Sequence, residues 1–118
     1  MTPAKVNLTV YQGATFKKEF QWTTTADKIP VDITGLHIRM QIREKLKDVT
    51  FVIELTTENS RIIISNPTEG RFYLILSAEL TSVLLIKHGV YDIEVMFSDG
   101  FVERIIEGSV SVSPQVTR

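Results

Sequence analysis

Apolar and polar residues alternate along most of this chain with a period of two. The alternation is cleanest at residues 36–43, where Leu36, Ile38, Met40 and Ile42 fall on one face and His37, Arg39, Gln41 and Arg43 on the other. Two more alternating runs, residues 90–97 and 101–112, flank Ser98-Asp99-Gly100. Asp-Gly between such runs is a hairpin signal, because Gly takes the positive φ a tight turn requires. In the first of these runs Tyr91, Ile93, Val95 and Phe97 share a face, with Asp92 and Glu94 opposite. Arg104 breaks the parity of the second run, and two registers fit. A two-residue loop pairs Phe97 with Val102 and sends Arg104 to the core side. A three-residue loop with a Gly bulge pairs Phe97 with Phe101, Ile93 with Ile105 and Glu94 with Arg104. A further bulge near Ile105-Ile106 then restores the later parity, and this second register is preferred.

The remaining segments follow the same logic. Val6, Leu8 and Val10 alternate into a first strand ending at Gln12-Gly13. Residues 15–22 form a second strand with Phe16, Phe20 and Trp22 on one face; Lys18 shares that face near its end, its stem on apolar surface and its amine in water. Pro30 lacks a backbone donor, so residues 29–33 read as an edge or an irregular extended piece. Phe51, Ile53 and Leu55 alternate next, then comes the Ile62-Ile63-Ile64 run. Phe72, Leu74 and Leu76 follow the turn residues Asn66-Pro67-Thr68-Glu69-Gly70. One helix is expected, about 78–88, capped by Ser77, with Leu80, Val83 and Leu84 on its apolar face and Gly89 ending it in the left-handed conformation.

About seven to nine short strands with turn residues between them predict an all-β fold, an antiparallel sandwich with one short helix before the C-terminal hairpin. Residues 1–118 read as a single domain, with no internal repeat, linker or low-complexity stretch. The expected core comprises Phe16, Phe20, Trp22, Ile38, Met40, Phe72, Leu74, Tyr91, Ile93, Val95 and Phe97.

Composition narrows the function classes. The formal net charge of −1 argues against a strongly salt-sensitive attachment to nucleic acid or anionic membrane. With no cysteine, disulfides, thiolate metal sites and a Cys nucleophile are all excluded. No run reaches the roughly 18 apolar residues of a membrane span. The opening residues lack the apolar core of a signal peptide, so the chain is expected to be made and folded in a cytoplasm.

Candidate chemistry is thin. His37 and His88 are the only neutral-pH bases, and neither adjoins a nucleophile in a recognisable pattern. Asp92 and Glu94 lie two apart on a strand, the minimal geometry for paired carboxylates; the plainer reading is an exposed face neutralised by Arg104 across the hairpin. The outward row His37, Arg39, Gln41 and Arg43, continued by Lys45 and Lys47, is a basic stripe without interleaved aromatics, and reads as a solvated strand face before a nucleic-acid contact. Trp22 with Phe16 and Phe20 has the makings of a sugar-stacking platform, but shared parity puts all three inward. No catalytic residue, metal ligand or cofactor is expected.

Six segments form a recognisable series: Tyr11-Gln12-Gly13-Ala14-Thr15-Phe16, with Trp22 following, then Pro30-Val31-Asp32-Ile33-Thr34-Gly35 and Leu76-Ser77-Ala78-Glu79-Leu80-Thr81. Gly89-Val90-Tyr91-Asp92-Ile93-Glu94, Glu107-Gly108-Ser109-Val110-Ser111-Val112 and the ending Ser113-Pro114-Gln115-Val116-Thr117-Arg118 continue it along nearly the whole chain. Together they resemble a family of small tail-associated proteins of tailed bacteriophages and prophages. Ala14 departs from the acidic residue commoner there. The plan is also similar to the immunoglobulin-like N-terminal domain of phage upper baseplate proteins. That resemblance implies a virion structural protein of tail, baseplate or fibre, which works through contacts with other phage structural proteins or with further copies of itself. It supplies no catalytic residues, and its Gly13, Gly35, Gly89 and Gly108 read as positions where the backbone needs freedom. The alternatives are a carbohydrate-binding module for host surface polysaccharide and, behind it, a small hydrolase.

Overall fold

The computed structural model describes residues 2–117. Nine strands form two sheets: β1 (Ala4–Lys5), β2 (Leu8–Tyr11), β3 (Phe16–Gln21), β4 (His37–Arg43), β5 (Ile53–Thr56), β6 (Ile62–Asn66), β7 (Arg71–Leu76), β8 (His88–Met96) and β9 (Val102–Ser113). A helix, α1 (Ala78–Ser82), precedes β8, and a 3-10 turn (Pro67–Glu69) joins β6 to β7. The larger sheet runs β1-β9-β8-β4-β5, with β2 also on β9; the smaller runs β3-β7-β6.

This is an all-β, immunoglobulin-like sandwich. Strands β9, β8, β4 and β5 correspond to G, F, C and C′ of that plan, facing β3, β7 and β6 as B, E and D. The opening strand has crossed to the G side. There β1 and β2 run parallel to β9, Ala4 opposite Ile106 and Leu8 opposite Val110, so the expected antiparallel sandwich carries one parallel edge. Trp22 stands at the end of β3 instead of on the central strand β4, beside no disulfide.

The core is the alternating set from both sheets closed face to face. Ile38, Met40, Phe72, Leu74, Ile93 and Val95 are all but inaccessible, and Trp22 and Tyr91 are buried with them. Phe16, Phe20 and Phe97, expected in the core, are only partly buried against it. Phe16 and Phe20 lie on β3, which has no neighbour on its outer side. Phe97 sits at the hairpin mouth, between Trp22 and Phe101, with ring centroids 6.1 and 5.8 Å away.

The hairpin takes the three-residue loop. The Phe97 N–H donates to the Phe101 carbonyl (2.8 Å), Gly100 closes the turn at φ 91°, and Glu94 lies opposite Arg104. The bulge falls one residue earlier than expected. Ile93 pairs with Ile106, not Ile105, so Ile105 is the extra residue and both isoleucines turn inward.

The helix is shorter than its sequence suggests. It spans Ala78–Ser82, with the Ser77 hydroxyl accepting from the Leu80 N–H at 3.2 Å, and does not reach residue 88. Two tertiary bonds override the local pattern. The buried Thr81 hydroxyl accepts from the Gly13 N–H (3.0 Å) and donates to the Ala14 carbonyl (2.9 Å), fixing the helix on the β2–β3 turn. The Lys87 carbonyl accepts from the Val112 N–H (2.9 Å), drawing the chain into the extended form that becomes β8. Gly89 therefore does not cap a helix. It is a strand residue at a close approach, where a Cβ would stand 2.8 Å from the Arg43 carbonyl oxygen.

Candidate functional site

The outer face of the larger sheet gathers the candidate ionic residues. Antiparallel register sets Arg39 opposite Glu94 and Gln41 opposite Asp92, so the basic row of β4 and the acidic pair of β8 adjoin. Arg39 Nη2 reaches Glu94 Oε1 at 3.0 Å, and Arg104 Nε reaches Asp92 Oδ2 at 3.3 Å. Arg104 also meets Glu107 at 3.4 Å. The acidic pair is thus divided between two arginines, where one had been expected. Arg43 is turned to its own loop, donating to the Asp48 and Val49 carbonyls at 3.0 and 2.9 Å. His37 is bonded to Glu58, and that bond holds the Glu58 carboxyl below the usual carboxylate range.

A shallow groove of about 470 Å³ crosses this face, with Lys5, Gln41, Arg43, Asp92, Arg104 and Glu107 among its lining residues. Burial pushes the Asp92 carboxyl up; Arg104 opposes the shift while Glu94 and Glu107 add to it. Asp92 and Glu94 face their arginines and each other as strand neighbours, and Asp92 lies opposite Glu107 on β9, with Arg104 bonded to both Asp92 and Glu107. Among the described residues no cluster of three or more His, Asp or Glu side chains is placed to hold a metal ion.

The ends of the sandwich differ more than its faces. Among the described residues eleven large apolar side chains are exposed, and eight of them sit in segments that the strand registers bring to one end. They are Leu46, Val49, Phe51 and Val52 between β4 and β5, Val83 and Leu85 between α1 and β8, Tyr11 at the end of β2, and Val116 beyond β9. Val49 is 95% exposed and Leu85 86%, so these side chains are offered to solvent rather than tucked under a loop. The loops themselves are tied down. Gln12 bridges the α1–β8 connector and the C-terminal segment, its Nε2 donating to the Leu84 carbonyl (3.1 Å) and its Oε1 accepting from the Gln115 N–H (3.1 Å), while Arg43 holds the β4–β5 connector by the Asp48 and Val49 carbonyls.

Sequence reasoning located the neutralised acid pair and the basic row, but missed this apolar end. Local pattern assigns Phe51 to a strand and Val83 to a helix face, and only the registers bring these segments together at one end. No protein-family model matches the chain, and no curated protein matches it significantly.

Proposed function

We propose that this chain is a structural subunit of a bacteriophage or prophage particle, an adaptor of tail, baseplate or fibre that acts through protein–protein contacts. The observation that carries the reading is the apolar end. A rigid sandwich that pairs its face charges internally and exposes aliphatic side chains on anchored loops at one end has the surface of an assembly component. The phage assignment itself comes from the sequence segments that resemble tail-associated proteins. Mass spectrometry of purified particles tests it: the chain is expected among the particle proteins and in co-purified tail or baseplate subassemblies. Its absence from particles contradicts the reading.

The carbohydrate-binding alternative depends on an exposed aromatic platform. Trp22 is 8% exposed, and the exposed aromatics Tyr11, Phe51 and Phe101 lie on separate segments, so no observation favours that reading over the first.

A further inference from the structure

The four edge positions of the two sheets are not equivalent. The outer edge of β5 is closed by side chains: the Glu54 carbonyl accepts from Asn59 Nδ2 (3.0 Å) and Arg61 Nη1 (2.9 Å), and the Thr56 N–H donates to Asn59 Oδ1 (2.9 Å). Strand β6 is broken by a bulge between Ile64 and Asn66. The β1/β2 edge is interrupted at Val6-Asn7. Strand β3 alone is both regular and uncovered. It pairs with β7 over six residues, and the Trp22 N–H to Gly70 carbonyl bond (2.8 Å) sets the alternation, so Phe16, Lys18 and Phe20 bond inward and Lys17, Glu19 and Gln21 turn their backbone groups outward.

Beside this edge the sandwich is open. A cleft of about 430 Å³ between β1 and β3 is floored by Val6, Phe20, Trp22, Ile105 and Ile106, and a second of about 330 Å³ continues it past Lys17 and Lys18. The Trp22 indole N–H is buried and finds no acceptor among the described residues. The charged residues lining the two clefts have one sign, Lys17 and Lys18 at one end and Lys28 at the other, while Glu19 stands exposed on the strand between and lines neither. Two lysines against one glutamate leave this edge net positive, which disfavours a second copy of it; an uncharged apolar strand gains nothing from the lysines, whereas a strand bearing carboxylates at its ends is attracted.

We propose that the β3 edge takes an extended segment of a partner protein, apolar at alternate positions and acidic at both ends, as a fourth strand of the smaller sheet. Its backbone pairs with Lys17, Glu19 and Gln21, its apolar side chains enter the cleft over Phe20 and Trp22, and its carboxylates meet the lysines at either end. The segment spans about six residues, or about 20 Å of strand. This rests on the adaptor reading and names the chemistry of one of its partners.

The probe is a capped eight-residue peptide with Val and Thr alternating at its centre and Glu at both ends, titrated into the intact chain, with a counterpart carrying Lys at both ends as comparison. Trp22 is the sole tryptophan and reports from the cleft. A saturable change in its emission is expected, with amide shifts at Lys17, Glu19 and Gln21. The Lys18→Glu variant should bind about tenfold more weakly, as should the wild type at about 0.5 M salt. If that variant does not fold, Lys28→Glu makes the same test at the other end of the cleft. No saturation below about 1 mM, equal binding of the lysine peptide, or shifts confined to another edge overturns the proposal. Protection of the β3 amides by self-association, seen in light scattering without peptide, overturns the choice of occupant. Particle composition answers a separate question: a silent titration with the chain present in particles removes the strand site alone. A positive titration with the chain absent from particles removes the virion role alone.

Discussion

Gly108 and Val6 approach so closely that a Cβ at position 108 would stand 2.0 Å from the Val6 carbonyl oxygen. The contact falls where β1 breaks from β2, and two bonds hold the break: the Val6 N–H donates to the Glu107 carbonyl (2.9 Å), and the Ser109 N–H donates to Asn7 Oδ1 (3.2 Å). Glycine is required at 108 for space, not for a left-handed φ. Gly108→Ala is therefore expected to cost about 1–3 kcal/mol in denaturant melts, since the obstructing atom is backbone and cannot rotate away. Amide exchange should rise most at Leu8 and Val10, because the displaced strand is the parallel edge.

Tyr91 secures the same break from the other side. Its hydroxyl donates to the Val6 carbonyl at 2.5 Å. Tyr91→Phe is expected to lose about 0.5–1.5 kcal/mol, the ordinary worth of such a bond. Burial pushes the Tyr91 phenol up to about 12. An acid whose folded pKa lies above its unfolded value holds its proton more tightly when folded. Stability from this group is thus present below about pH 10 and drains away as pH rises towards the folded value. Stability curves across that alkaline range should be flatter for Tyr91→Phe than for the wild type; parallel curves would contradict the assignment.

Two carboxylates should titrate in opposite senses. Burial raises Asp92, so its contribution is present at low pH and declines as pH climbs through the raised value. Glu58 is lowered by its bond to His37, so its contribution is present above the usual carboxylate range and is lost as pH falls. Asp92→Asn should remove a decline in stability with rising acid-range pH, and Glu58→Gln should remove a gain. Both are read from urea midpoints across pH 3–7 at low salt.

Trp22 separates the core from the surface. Trp22→Ala is expected to cost about 3–5 kcal/mol, as buried aromatic truncations do, while Val49→Ser, 95% exposed, should stay within about 0.5 kcal/mol. A loss below about 1 kcal/mol at Trp22 would refute its place in the core.

What was legible in the sequence was local and periodic. The alternation of β4 and the three-residue hairpin loop follow from neighbouring residues, and both stand in the structure. The helix was overread because Leu80, Val83, Leu84 and Gly89 carry the spacing of a capped helix. Its second half is instead an extended connector led into β8 by a bond from Val112, 25 residues away from Lys87, which no local pattern records. Parallel pairing of β1 and β2 with β9 joins the two ends of the chain, and the apolar end is assembled from four separate segments. Arg39 meets Glu94 for the same kind of reason: β4 and β8 become neighbours only in the sheet.

The most direct test of the central claim is oxidative footprinting of Leu46, Val49 and Leu85 in the free chain and in purified particles. Side chains that form the assembly surface should label readily when free and be several-fold protected in the particle, while Phe101 at the opposite end serves as the internal comparison. Equal labelling of all four in both states, or no trace of the chain in the particle digest, would contradict the account.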